Sequence, residues 1–277
     1  MSAMVLLIIS ISGVNSLLLP VSPIGVITSF SLSQDVEAIF YNPANFESGE
    51  NYKVWCAYNR FYLSMQSVSF ALSKRIKSIN LGIAFINFDY GDIDWRPNYP
   101  TDDSTIFFSA NDFTILVGGS ANLSPQGKIG LNLKYISENI HIYSDYALAV
   151  DLSFSYTDEK TGISFGASNF GTRLKIRNEE VNLPARLSLG GFYTFEKICA
   201  SVDIHYLVNN EDFEYGFGLG YPVHDMVRLS LAYHYRNELY PGFGIDLTPG
   251  NLEIKYGGSF YPKDLGMINT VGIGFNF

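Results

Sequence analysis

From residue 51 onward, apolar side chains return at every second position, segment after segment. Ile129, Leu131, Leu133 and Tyr135 interleave with Lys128, Gly130, Asn132 and Lys134. Tyr146, Leu148, Val150, Leu152, Phe154 and Tyr156 interleave with Ala147, Ala149, Asp151, Ser153 and Ser155. Val227, Leu229, Leu231, Tyr233 and Tyr235 do so with Arg228, Ser230, Ala232, His234 and Arg236. In the last segment, Val271, Ile273, Phe275 and Phe277 oppose Gly272, Gly274 and Asn276. A period of two belongs to β-strands and sends alternate side chains to opposite faces. Segments of about ten residues match tilted strands that cross a bilayer. A large apolar outer face over a small or polar inner face is what a closed membrane barrel needs.

The pattern predicts strands over 51–60, 63–73, 78–90, 112–123, 128–138, 144–156, 161–169, 185–195, 198–208, 212–221, 226–236, 241–247, 251–260 and 268–277. The fold class expected is all-β, an antiparallel transmembrane β-barrel of about 14 strands. Connections after even strands are tight, as at Ser124-Pro125-Gln126-Gly127 and Thr248-Pro249-Gly250. Those after odd strands are generally longer: 91–111, 139–143, 170–184, 237–240 and 261–267, with short exceptions at 61–62 and 209–211. Short turns on one side and long loops on the other fit an outer-membrane barrel with both termini periplasmic. A secreted β-sandwich or soluble barrel is the competing architecture.

Composition bears on compartment and partners. The chain has 19 Tyr, 21 Phe and 25 Gly with 16% charged residues, which suits aromatic girdles at two membrane interfaces. A net charge of −9 argues against nucleic-acid binding, which needs a basic footprint. Cys56 falls on the lipid-facing parity of its strand and Cys199 on the lumen parity, so a disulfide between them is not expected. Gly82, Gly118, Gly130, Gly166, Gly190, Gly216, Gly218, Gly220, Gly244 and Gly272 land on the inner face, with few and mixed charges there (Lys128, Lys134, Asp151, Arg186, Arg228, Arg236). Glycines permit close approach of another backbone, so the lumen is expected to be narrow or plugged.

The N-terminal region does not alternate. Met4 to Leu19 is an apolar run of signal-peptide length, with Val14-Asn15-Ser16 as a small-residue cleavage site. No Lys or Arg precedes Lys53, so a mature hydrophobic N-terminus is the other reading. The organisation expected is a signal peptide over 1–16, a helix and turn plug over 17–50, and the barrel over 51–277. Within the plug, Ser33 to Phe40 reads as a short helix with Ser33 as N-cap and Asp35 and Glu37 in its first turn. Asn42-Pro43 then stops it. A loose periplasmic tail is the alternative.

The stretch SLSQDVEAIFYNPANF (31–46), with Asp35, Ala38, Tyr41, Asn42, Pro43 and Ala44, resembles the plug signature of FadL-like barrels, in particular the PorV/PorQ family. STIFFSANDFTI (104–115), KIGLNLKYISENIHIYSDYALAVDLSFSY (128–156) and NLPARLSLGGFY (182–193) follow in that family's order. Two departures stand out: Gly25 alone remains of the glycine-rich stretch before the plug, and Asn45-Phe46 replaces Gly-Leu. The resemblance implies a barrel in the outer membrane of a Gram-negative-type bacterium. It implies an accessory of type IX protein secretion, meeting secretion-system components or exported cargo, or else a FadL-like transporter of long-chain fatty acids or other hydrophobic small molecules. A structural barrel without transport is the third reading.

No enzyme motif, P-loop or Cys-x-x-Cys occurs, and no cofactor is implied. The His residues at 141, 205, 224 and 234 are scattered; His205 and His234 fall on the lumen face and read as wall lining rather than metal ligands. The first long loop carries Asp89, Asp92, Asp94, Asp102, Asp103 and Asp112 without the order of a calcium loop, and reads as solvated surface. Trp95, Tyr99, Phe107 and Phe108 stand among these acids as a candidate partner or ligand loop. A strand break that opens a side exit is sought at residues 169–173, around Gly171.

Overall fold

The computed structural model describes residues 13–49, 51–95, 106–177, 179–236, 238–261 and 266–277. Tyr99, Asp102 and Asp103 lie outside them, as does the larger part of the expected signal peptide.

The strands are β1 (Lys53–Arg60), β2 (Gln66–Ile76), β3 (Ile79–Trp95), β4 (Ile106–Asn122), β5 (Gly127–Ile140), β6 (Tyr143–Thr157), β7 (Thr161–Gly171), β8 (Leu174–Ile176), β9 (Glu179–Val181), β10 (Arg186–Phe195), β11 (Ile198–Leu207), β12 (Asp212–His224), β13 (Val227–Arg236), β14 (Glu238–Leu247), β15 (Leu252–Tyr261) and β16 (Gly266–Asn276). Fourteen of them close an antiparallel barrel in sequence order, and β8 and β9 form a separate hairpin between β7 and β10. The seam joins β1 to β16 from Lys53↔Asn276 to Arg60↔Asn269. Closure pairs every edge, which a strand bundle in lipid requires.

The alternation sorts the two faces as the sequence predicts. Val117, Leu131, Leu133, Leu152, Phe165, Phe217, Leu231 and Ile273 stand exposed on the outside. Tyr135 and Tyr146 stack toward one end of this belt, where Phe213 also stacks on Tyr215. Tyr156, Phe195, Tyr221 and Phe275 are exposed toward the other. Such an apolar band between aromatic girdles fits a membrane. Cys56 is exposed and Cys199 buried, both unpaired.

Three connections differ from expectation. β3 and β4 keep pairing as far as Trp95↔Ile106, across a bulge between Asp89 and Asp92, so much of the supposed 91–111 loop is hairpin. Gly91 makes this bend at φ 72, a region open to glycine. The 139–143 and 237–240 connections are tight, because β5 runs to Ile140, β6 starts at Tyr143 and β14 starts at Glu238.

One wall irregularity falls in the 169–173 region. The β6–β7 register slips between Val150 and Leu152. β7 pairs with β10 only from Thr161 to Ser168, and then its last residues pair with β6 alone. The β8–β9 hairpin lies in the connection from β7 to β10, and β8 packs against β6. Leu174 and Leu183 of this stretch pack with Ile136, Ala147 and Ala149.

Candidate functional site

The lumen holds the N-terminal segment. Its short helical turns span Gly13–Leu18, Pro23–Val26, Ser29–Leu32, Val36–Phe40 and Pro43–Asn45. The expected helix from Ser33 shrinks to the single turn Val36–Phe40. Ser33 instead ends the turn Ser29–Leu32, and no side chain caps the turn at Val36. The reason is tertiary. Asp35 adopts φ 57, bridges Phe46 through its backbone, and sends its carboxylate to Lys53 rather than to a helix end.

The inner glycines receive this segment. A Cβ at Gly130 would meet the Pro43 carbonyl carbon at 2.0 Å and the Ala44 nitrogen at 2.2 Å. One at Gly242 would meet the Val26 carbonyl oxygen at 2.2 Å. Only glycine admits backbone that close. Phe46, the departure from the family pattern, lies fully buried against Gly82.

Polar anchors complete the docking. The Ala44 N–H donates to Ser153 Oγ at 2.7 Å, and Asn132 Nδ2 donates to the Ile39 carbonyl at 2.8 Å. The Phe30 and Ser31 N–H groups donate to the two Asp203 carboxylate oxygens, each at 2.9 Å. Ser69 Oγ donates to the Val21 carbonyl at 2.6 Å. Three carboxylates of the segment pair with three wall lysines: Asp35 with Lys53, Glu47 with Lys128, and Glu37 with Lys255 at 2.7 Å. In the last pair Glu37 is buried and Lys255 partly so, and Glu37 also accepts from Ser22 Oγ and from the Ile24 N–H.

The six residues of the sequence signature all sit in this layer. Tyr41 Oη accepts the Val21 and Ser22 N–H groups, both at 3.0 Å, and burial beside Glu37 pushes its phenol above the usual range. Asn42 donates to the Phe30 carbonyl and accepts from the Ala44 N–H. Ala38 and Ala44 are fully buried, Pro43 lies over Gly130, and Asp35 holds Lys53.

Above the layer is a cavity of about 450 Å³. Leu17, Leu18 and Leu19 line it from the N-terminal segment, and Ile86, Leu116 and Tyr90 from the wall. It extends to Met65 and Asn210, in turns at the barrel end opposite the pairing of Phe277 with Tyr52. Its polar wall includes Arg186 and His205. Among the described residues Arg186 makes no ion pair, and its buried Nε has no hydrogen-bond partner. Arg186 was visible in the sequence only as one inner-face charge among several.

The other candidates separate. Asp112 is buried, not part of a surface loop: it accepts from Ser16 Oγ at 2.5 Å and from Tyr90 Oη at 2.9 Å. Phe107 is exposed, whereas the Phe108 ring meets His141 at 5.9 Å. Trp95 ends β3 on the same hairpin. His205 Nδ1 lies 2.8 Å from Ser188 Oγ, and His234 Nε2 lies 3.0 Å from the Val26 carbonyl. Among the described residues, no group of three or more His, Cys, Asp or Glu side chains is placed to hold a metal.

No protein-family model matches the chain, and no curated protein does. Solved structures share its fold. The toluene transporter TbuX of Ralstonia pickettii has a TM-score of 0.70 at 11% identity, over 94% of this chain and 99% of that one. The toluene transporter TodX of P. putida gives 0.67 at 11% identity, over 92% and 98%. A FadL homologue of Pseudomonas aeruginosa gives 0.60 at 10% identity, over 89% and 95%. The fold is therefore that of the FadL-like barrels.

Proposed function

We propose that the protein is an outer-membrane barrel that passes hydrophobic small molecules through its lumen, past an N-terminal plug. The cavity carries this reading. Its volume of about 450 Å³ lies in the range of small-ligand pockets, and leucines form its flank. The similarity of the fold to toluene transporters and to a FadL homologue supports the same class of substrate.

In this reading residues 17–50 are the plug, with Asp35, Ala38, Tyr41, Asn42, Pro43 and Ala44 as its docking surface. The C-terminus is periplasmic and the cavity rim faces outward from a Gram-negative-type cell, whereas Ser16, bonded to Asp112, stands on the cavity side of the floor rather than at the expected periplasmic mouth. The floor is held by ion pairs and by backbone seated on glycines, so the ligand leaves sideways where β7 parts from β10 rather than downward. Arg186, whose buried Nε has no hydrogen-bond partner, offers a guanidinium to a ligand with a polar or anionic end, such as a long-chain fatty acid. The rim hairpin with Trp95, Phe107 and Phe108 offers aromatic contact to a ligand or partner. No catalytic role is assigned.

A PorV/PorQ-type role in type IX secretion has the sequence motifs in its favour and no feature of the lumen. Native purification in mild detergent, with mass spectrometry of bound lipids and co-eluting proteins, separates the two. A defined hydrophobe on a solitary barrel is expected. A stoichiometric secretion component or exported protein, without such a ligand, would overturn the transport reading.

A further inference from the structure

The wall irregularity at β6–β7 rests on a buried polar cluster that also grips the N-terminal segment. Lys134 Nζ and Asp151 Oδ2 pair at 2.7 Å, with side chains 7% and 4% exposed. Asp151 Oδ1 accepts the Asn169 N–H at 2.8 Å. Asn169 Oδ1 accepts from Lys134 Nζ at 2.7 Å, and its Nδ2 donates to the Pro184 carbonyl at 3.3 Å. Asn169 has φ 60, the left-handed conformation that Asn tolerates better than most residues. It lies one residue past the last β7–β10 pair, Ser168↔Arg186.

The cluster reaches the N-terminal segment through Asn132. Its Nδ2 lies 3.2 Å from Asp151 Oδ2 and also donates to the Ile39 carbonyl. Asp151 thus touches the wall break on one side and, through one amide, the segment on the other. Nothing in a plain strand pairing requires this. The adjacent pairs on β5 and β6, Leu133↔Val150 and Leu131↔Leu152, are ordinary outward apolar residues.

We infer that Asp151 is a positioning residue that couples the N-terminal segment to the β7–β10 wall break, with Asn132 as the link. Its carboxylate holds Asn169 in the left-handed turn while the shared amide fixes Ile39. A shift of Ile39 pulls Asn132 off Asp151 and loosens the carboxylate that holds Asn169, and the reverse follows by linkage. The inference gives the proposed transport a device for moving floor and side wall together. Its test reads backbone exchange rather than uptake, so the two readings fail separately.

The test is hydrogen exchange on the full chain in detergent, with Asn132→Ala as the cut link and Lys255→Met as a remote loosening of the segment. Heat-modifiable gel migration confirms folded barrels. With Asn132 present, Lys255→Met is expected to speed exchange at residues 167–172 by about three-fold or more. In the Asn132→Ala background that increase is expected to vanish. No change at 167–172 in either background would overturn the coupling, and so would an equal increase in both. If Lys255→Met does not fold, Glu37→Gln replaces it with the same expectations.

Discussion

Two parts of the N-terminal segment meet the same barrel wall in different ways. Residues 22–48 lie on glycines, and three of their carboxylates hold wall lysines. Residues 15–20 touch side chains instead: Ser16 bonds Asp112, and Leu17 to Leu19 lie half-buried along the cavity. The glycine face lets backbone seat against backbone and leaves little space. The side-chain face keeps a gap, and leucines wall it. One stretch of chain thus supplies a closely seated floor and an apolar flank.

The largest test of that contrast is Lys255→Met. It leaves the buried Glu37 carboxylate without its lysine, a loss of about 3–5 kcal/mol for broken buried pairs. Denaturant unfolding in detergent should show it, together with faster proteolysis within 22–48. An unchanged midpoint would erase the distinction between floor and flank. Gly130→Ala comes next. Its methyl would press on Pro43 and Ala44 backbone, and overpacking of this kind costs about 1–3 kcal/mol. A lower midpoint and a higher conductance in planar bilayers are expected, because the floor lifts.

Arg186→Met sharpens the flank rather than the floor. Losing a bond to a charged group is worth about 1.5 kcal/mol, or roughly ten-fold in affinity. Binding of a fatty-acid anion should weaken by that factor while toluene binding stays unchanged; equal loss of both would remove Arg186 as a recognition group. The smallest effect belongs to Ser16→Ala, which deletes one hydrogen bond to Asp112, worth about 1 kcal/mol. Faster exchange should stay within 15–20. Spread of the change into 22–48 would mean that the two parts are one unit.

Much of the barrel was legible because its pattern is local. A period of two in Ile129–Tyr135 or Val227–Tyr235 fixes which face meets lipid, and the face of Cys56 or Gly130 follows by parity. Boundaries slipped where pairing outran the bilayer, as in β3 and β4 beyond Asp89, since nothing in alternation says where a strand leaves the membrane. The β8–β9 hairpin was missed because strands of three residues carry too little periodicity. Around the lumen the sequence was less informative. Ser33 reads as a helix cap only when Asp35 is treated locally, whereas its partner Lys53 lies across the lumen on β1. Glu37 and Lys255 are 218 residues apart. Asp112 looked like one acid of a surface loop until the continued β4 turned it inward onto Ser16. The cavity is built from such long-range contacts, and no motif announces it.

Uptake tests the account most directly. Cells carrying the barrel in their outer membrane would be given labelled toluene and a labelled long-chain fatty acid, alongside empty-vector cells and cells carrying Leu18→Trp. Leu18 lines the cavity, and the larger ring narrows it. The account predicts uptake of at least one label above the empty-vector level, and a fall toward that level with Leu18→Trp at equal barrel abundance. Uptake no higher than empty vector for both labels, or uptake indifferent to Leu18→Trp, would contradict passage through this cavity.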